Sequence, residues 1–114
     1  MAKLTTHILD TSSGKPANGV NINLYRKENQ NSALIKTAQT NSDGRCDEAL
    51  LSDNDFRVSC YEIEFAVDQY FKANNVDCPF LRDVVVRFYI TEENENYHVP
   101  LLISPFSYST YRGS

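Results

Sequence analysis

His7 and His98 are the only histidines in the chain. Imidazole exchanges protons near neutral pH more readily than any other side chain, so this pair is the first place to look for acid–base chemistry. Each lies in a strand-like, weakly charged run, one near either end of the chain. A histidine in a strand also has an ordinary reading, as a hydrogen-bonded packing residue. Arg45 follows the tight turn Asp43-Gly44. Its planar guanidinium is either a solvated loop charge or a fork aimed at a carbonyl or oxyanion. The last 19 residues, 96–114, hold no Asp or Glu, and Arg112 is their one formally charged side chain. Chain ends are usually polar and loose. This one is aromatic and strand-like, so it is expected either to zip into a sheet as a terminal strand or to line a site. No Gly-rich phosphate loop and no G-x-S-x-G elbow occur. Two histidines without a cysteine cluster do not close a zinc site, so no metal centre is expected, although a twofold interface could gather four histidines.

The elements that must position these residues are short. Thr5 to Leu9 is β-branched and apolar, and Asp10 to Pro16 is a turn cluster. Val20 to Arg26 alternates apolar and polar with period two, the pattern of a half-buried strand. Glu28 to Ser32 reads as a polar loop, Leu34 to Thr40 as a strand, and Asn41-Ser-Asp-Gly44 as a turn. Arg57 to Phe65 alternates again, with Ile63, Phe65 and Val67 on one face. Asp68 to Asn75 is the one helix candidate, about two turns by helix geometry, with Asp68 as N-cap and Asn74-Asn75 as stop. Asp83 to Thr91 and Tyr97 to Ser104 are strands, and Phe106 to Tyr111 closes the chain. Pro100 inside a strand argues for a sheet edge or a bulge. Seven or eight short strands with one short helix predict an all-β, antiparallel β-sandwich.

Composition narrows the function classes. The chain has 114 residues, which allows one domain spanning 1–114 and no second one. It carries 15 acidic and 11 basic residues, a formal charge of -4, which is the wrong sign for a nucleic-acid partner. No run of about 18 apolar residues is available to cross a membrane. Cys46, Cys60 and Cys78 are odd in number and widely spaced, which reads as free thiols rather than a disulfide framework. With no apolar leader run in Met1 to His7, a cytoplasmic protein is expected.

The motifs join into a recognisable whole. Leu4-Thr-Thr-His7-Ile-Leu-Asp10-Thr with Gly14-Lys-Pro16-Ala17 resembles the N-terminal motif of the 5-hydroxyisourate hydrolases, the transthyretin-related enzymes. Asn41-Ser-Asp-Gly-Arg45 resembles their second motif. Tyr97-His98-Val-Pro100-Leu-Leu-Ile-Ser104-Pro105 and Tyr108-Ser-Thr-Tyr111-Arg-Gly-Ser114 resemble the third. The C-terminal Tyr-Arg-Gly-Ser is the most specific element, because transthyretin itself lacks it. The resemblance spans the full length.

It implies a transthyretin-like sandwich of about eight strands assembled as a homotetramer, a dimer of dimers with active sites at the dimer–dimer interface. It implies a cyclic amide hydrolase without cofactor or metal. The reaction is hydrolysis of 5-hydroxyisourate to 2-oxo-4-hydroxy-4-carboxy-5-ureidoimidazoline, on the route from urate to S-allantoin. Equivalents of His7, Arg45, His98 and the terminal tetrapeptide would line the site. On this reading His98 is the general base and His7 its acid or hydrogen-bonding partner, with the two roles exchangeable. Arg45 would stabilise the oxyanion and lower a neighbouring imidazole's pKa by charge repulsion. Tyr111 and Ser114 would bind substrate or position water, and Arg112 would bind too or anchor the tail. Two other classes remain: a non-catalytic small-ligand carrier of the same fold, which would not need all four elements together, and a structural or adhesion sandwich, which would be expected to carry paired cysteines or a linker.

Overall fold

The structure, a computed structural model, describes residues 2–114. Among these residues nine strands and one α-helix follow in chain order, with a single 3-10 turn at Asp53–Asp55: β1 Lys3–Asp10, β2 Lys15–Pro16, β3 Asn21–Glu28, β4 Asn31–Gln39, β5 Leu51–Ser52, β6 Ser59–Ala66, α1 Val67–Ala73, β7 Asp83–Ile90, β8 Tyr97–Ser104 and β9 Ser107–Thr110. They form two sheets. One runs β2-β1-β8-β9, with β5 also pairing β1, and the other runs β4-β3-β6-β7. The period-two alternation explains the layering. Along β1, Leu4, Thr6, Ile8 and Asp10 are buried while Thr5, His7 and Leu9 are half-buried on the opposite face. Ile22 and Leu24 of β3, Tyr61, Ile63 and Phe65 of β6, and Leu101 and Ile103 of β8 fill the space between the sheets. Each such side chain contributes roughly 1.5–3 kcal/mol by leaving water. All three cysteines are free and half-buried, in line with the free-thiol reading.

Four details differ from the sequence expectation. The sandwich is not wholly antiparallel: β1 and β8 pair in parallel, setting Thr5 beside His98 and His7 beside Pro100. The strand carrying Pro100 is therefore interior, between β1 and β9. The polar loop from Glu28 to Ser32 shrinks to a two-residue turn at Asn29-Gln30, because Asn29 adopts the left-handed conformation (φ 57) that a tight hairpin requires. The helix begins one residue earlier than its expected cap. Ala66 is the N-cap and Asp68 lies in the first turn, so the buried Val67 opens the helix instead of extending the β6 face. Asn75 (φ 60) ends it, as the Asn-Asn stop predicts.

The interior proline has a local explanation. The register that pairs Leu101 with Thr110 in β9 and bridges His98 to Gly113 would set Tyr111 opposite Pro100. Proline has no N–H to give at that rung. The ladder is interrupted there, the Thr110 hydroxyl donates to the Pro100 carbonyl instead (2.7 Å), and the tail rejoins when Gly113 N–H donates to the His98 carbonyl (2.7 Å).

Candidate active site

The parallel β1/β8 pair is what brings the two histidines together from opposite ends of the chain. Both project from the outer face of the first sheet. His7 Nδ1 lies 2.7 Å from His98 Nε2, and His98 Nδ1 lies 2.8 Å from the Thr5 hydroxyl. The imidazole ring centroids are 4.9 Å apart and the planes meet at 26°, so the rings lie nearly coplanar, nitrogen to nitrogen. A hydrogen bond between two ring nitrogens needs one N–H and one lone pair, so the pair holds at most one extra proton while it stays intact. His98 has both nitrogens engaged. His7 Nε2 has no hydrogen-bond partner among the described residues.

Arg45 reaches this face through a constrained loop. Asn41 Oδ1 accepts from the Asp43 N–H (2.8 Å) and the Arg45 N–H (3.3 Å), closing the turn on itself. The Ile8 N–H donates to the Gly44 carbonyl (2.8 Å), which presses the loop against β1 and bridges Arg45 to His7. Gly44 has φ 73, and a Cβ there would meet the Ile8 carbonyl oxygen at 2.5 Å. Only glycine allows this approach.

The tail forms the other wall. Gly113 packs against the His98 ring so closely that a Cβ would fall 2.8 Å from His98 Cδ2. Arg112 turns away from the site. Its guanidinium pairs with Glu95 (3.0 Å), donates to the Asn96 carbonyl (3.1 Å) and stacks 4.0 Å from the Tyr97 ring centroid, anchoring the tail.

A pocket of about 520 Å³ results, lined by Lys3, Thr5, His7, Arg45, Asn96, His98, Tyr111, Gly113 and Ser114. All five sequence-nominated residues, His7, Arg45, His98, Tyr111 and Ser114, are among these. Lys3, Thr5 and Asn96 were not nominated. Period-two spacing from His7 puts Lys3 and Thr5 on its face, and that signal was available in the sequence. Asn96 enters because its Oδ1 accepts from the Lys3 N–H (2.9 Å), which only the fold reveals. A second pocket, of about 350 Å³ and lined in part by Arg26, Lys36 and Arg57, contains no imidazole or thiol.

The first pocket is lined by two cationic side chains and by no Asp or Glu side chain. His7 is pushed below the ordinary imidazole range by burial and then by the Arg45 charge. His98 is lowered by burial, by His7 and by Arg45, and its contact with the Thr5 backbone works in the opposite direction. Both imidazoles are thereby biased to the neutral form that can accept a proton at neutral pH. Cys46, next to Arg45, has its thiol pushed up by burial and by Asp47, while Lys36 works the other way. It packs against the core, which suits a structural role. Among the described residues no group of three or more His, Cys, Asp or Glu side chains is placed to hold a metal ion, and no helix is long and apolar enough to cross a membrane.

Such a site offers a neutral base, a second imidazole behind it, fixed positive charge and hydroxyl groups, which suits water attack on a carbonyl of an anionic substrate. The chain is 51% identical to a 5-hydroxyisourate hydrolase of Pseudomonas aeruginosa, over all of this chain and 93% of that one. The solved 5-hydroxyisourate hydrolase of Klebsiella pneumoniae superposes with a TM-score of 0.84 at 33% identity, covering both chains completely. Sea bream transthyretin in complex with thyroxine superposes at 0.90 with 29% identity, over 98% of this chain and 95% of that one. The sandwich is therefore transthyretin-like. With residues 4–113 matching the family as a whole, this chain belongs to the HIUase/Transthyretin family.

Proposed function

We propose that this protein hydrolyses 5-hydroxyisourate, opening its six-membered ring at the cyclic amide by acid–base activation of water. The observation that carries this reading is the convergence of the His7–His98 pair, Arg45 and the Ser114 end of the tail on one pocket with no Asp or Glu side chain in its lining. Identity of 51% to a named hydrolase, against 29% to a thyroxine-binding transthyretin, favours the enzyme over the carrier. A carrier has no need of an imidazole pair with one nitrogen left open.

His7 Nε2 is the base on this reading, since both His98 nitrogens are engaged. That exchanges the roles expected from the sequence. His7 takes a proton from water as the oxygen attacks the carbonyl, and returns it to the leaving ring nitrogen. Arg45 and Lys3 supply positive charge for the anionic substrate and the developing oxyanion. Tyr111 and Ser114 contribute hydroxyls to substrate or water.

The whole chain, 1–114, acts as a single domain within a homotetramer, a dimer of dimers that encloses the site at the dimer–dimer interface. Two features support this assembly. The pocket opens on the outer face of a sheet, and the strands at the sheet edges and the adjoining turn expose large aromatics, Tyr89 at 64% and Phe106 at 64%.

The test follows the ultraviolet absorbance of freshly generated 5-hydroxyisourate. The protein should outpace spontaneous decay, and deleting Tyr111–Ser114 should lower the rate by about 10²-fold or more, the scale of acid–base assistance. No acceleration by the intact protein refutes the activity. Full activity in a tetramer lacking the tail refutes the site.

A further inference from the structure

We propose that Thr5 is a positioning residue. Its hydroxyl accepts a hydrogen bond from His98 Nδ1–H and so, together with the charge of the pocket lining, completes the chain of bonds that turns the His7 Nε2 lone pair into the pocket. The proposal rests on the reading of His7 as base.

Two self-consistent chains satisfy the contacts at 2.8 Å and 2.7 Å. In the first, the Thr5 hydroxyl donates to His98 Nδ1, His98 Nε2–H donates to His7 Nδ1, and His7 shows the pocket an N–H. That arrangement offers substrate no base. In the second, His98 Nδ1–H donates to Thr5 Oγ1, His7 Nδ1–H donates to His98 Nε2, and His7 Nε2 is left with its lone pair. Any neutral mixture of the two sets N–H against N–H, or lone pair against lone pair, and breaks a bond.

The charge of the pocket lining selects the second chain. Lys3 and Arg45 line the pocket and no Asp or Glu side chain does, so the side-chain charge facing His7 is positive, and a lone pair there is attracted where an N–H dipole is repelled. The Gly113 backbone lies against the His98 ring edge and keeps the ring from turning over, so Nδ1 stays at Thr5 and Nε2 at His7 whichever chain is populated. Thr5 is half-buried beside His98 in the β1/β8 register, so the hydroxyl is held at the ring nitrogen.

The proton balance closes on this arrangement. Water gives one proton to His7 Nε2 while its oxygen forms the C–O bond. While the pair is charged, the His7 Nδ1 proton can shift onto His98 Nε2, sharing the charge between the rings. The C–N bond then breaks with its electrons going to the ring nitrogen, which takes the proton from His7 Nε2. Thr5 neither gains nor loses a proton.

The experiment compares Thr5→Val, which keeps the side-chain shape, with Thr5→Ser, which keeps the hydroxyl. Thr5→Val should lower kcat by about tenfold or more with KM within about twofold, and Thr5→Ser should recover most of the rate. Nitrogen-15 NMR of the imidazoles supplies the second readout. In the unaltered protein both Nδ1 atoms should be N–H type and both Nε2 atoms lone-pair type, and Thr5→Val should lose that preference. A proton found on His98 Nε2 in the unaltered neutral protein overturns the proposal. So does Thr5→Val with unchanged kcat and unchanged tautomers. If the protein fails to hydrolyse 5-hydroxyisourate, the proposed activity falls, while the nitrogen signals still decide whether Thr5 sets the tautomer.

Discussion

His7 and Asp10 sit three residues apart on β1, inside one sequence motif, on opposite faces of the strand. Asp10 points into the core and is only 4% exposed. Its carboxylate accepts from the Ser12 N–H (3.0 Å), the Ser12 hydroxyl (2.6 Å), the Ser13 N–H (3.3 Å) and the Tyr70 hydroxyl (2.8 Å). Burial alone would raise its pKa, but the side-chain bonds from Ser12 and Tyr70 and the backbone bonds from Ser13 and Ser12 outweigh it and hold the group below its ordinary value. His7 is half-buried with one nitrogen bonded and the other open. A buried polar group whose every site is filled works as a fastening, here between β1, the turn after it and α1. A polar group left half-filled is available for chemistry.

The largest expected effect tests the chemical half of this contrast. His7→Ala should lower hydrolysis of 5-hydroxyisourate by about 10²–10⁴-fold, the range for a lost acid–base group. Because His7 is half-buried with a single hydrogen bond, its removal should cost no more than about 1.5 kcal/mol of stability, the range for one such bond. Rate assays and a denaturant titration on the same preparation check both. A variant that stays active but melts early would make His7 a fastening too and erase the distinction.

Acidification should separate the two regions without mutation. Both histidines are held neutral below the ordinary imidazole range, so activity should persist at neutral pH and fall about tenfold per unit well below pH 6.5, as the base protonates. The stability slope from the histidines has the same sign, since the unfolded chain binds more protons there, but it is small for half-exposed groups. Asp10 acts lower. Its folded pKa lies below its unfolded one, so its contribution is fully present above the unfolded carboxyl pKa of about 3.9 and is lost as pH falls through the folded value. Between these ranges the protein should be folded and inactive, with activity returning on neutralisation. Loss of activity and of circular-dichroism signal at one common pH would show that the regions are not independent.

This contrast marks where the sequence becomes opaque. Period two made the faces of β3 and β6 readable, and the rarity of histidine singled out His7 and His98. Partner choice was not readable, because hydrogen bonding between strands leaves no trace in either strand's pattern. The parallel pairing of β1 with β8 places Thr5 at His98, contacts made across 93 residues of chain. For the same reason Pro100 suggested an edge, whereas the tail yields to it by skipping one rung. Asp10 looked like turn chemistry, and its partner Tyr70 lies 60 residues away on a helix whose start was placed one residue late.

The smallest effect tests the fastening by removing one donor. Tyr70→Phe deletes the hydroxyl that reaches Asp10 and keeps the ring that packs edge-on against Phe71. In the intact protein the phenol is pushed up to about 12, by burial and by the Asp10 carboxylate, so it remains a donor at every working pH. Its loss leaves Asp10 with the bonds from Ser12 and Ser13, so the carboxylate is weakened but not orphaned. The cost should be about 1.5 kcal/mol, the lower end for a hydrogen bond to a charged group. Hydrolysis at neutral pH should match the parent, because Tyr70 lies across the sheet from the pocket. The Asp10 pKa should move back up towards its ordinary value, so acid unfolding should begin at a higher pH. The stability gap should then narrow as pH falls, since a protonated carboxyl gains less from the missing donor. A gap that stays constant with pH would assign the cost to ring packing. An altered rate at neutral pH would mean that strain passes along β1 from Asp10 to His7, so that the fastening also tunes the base.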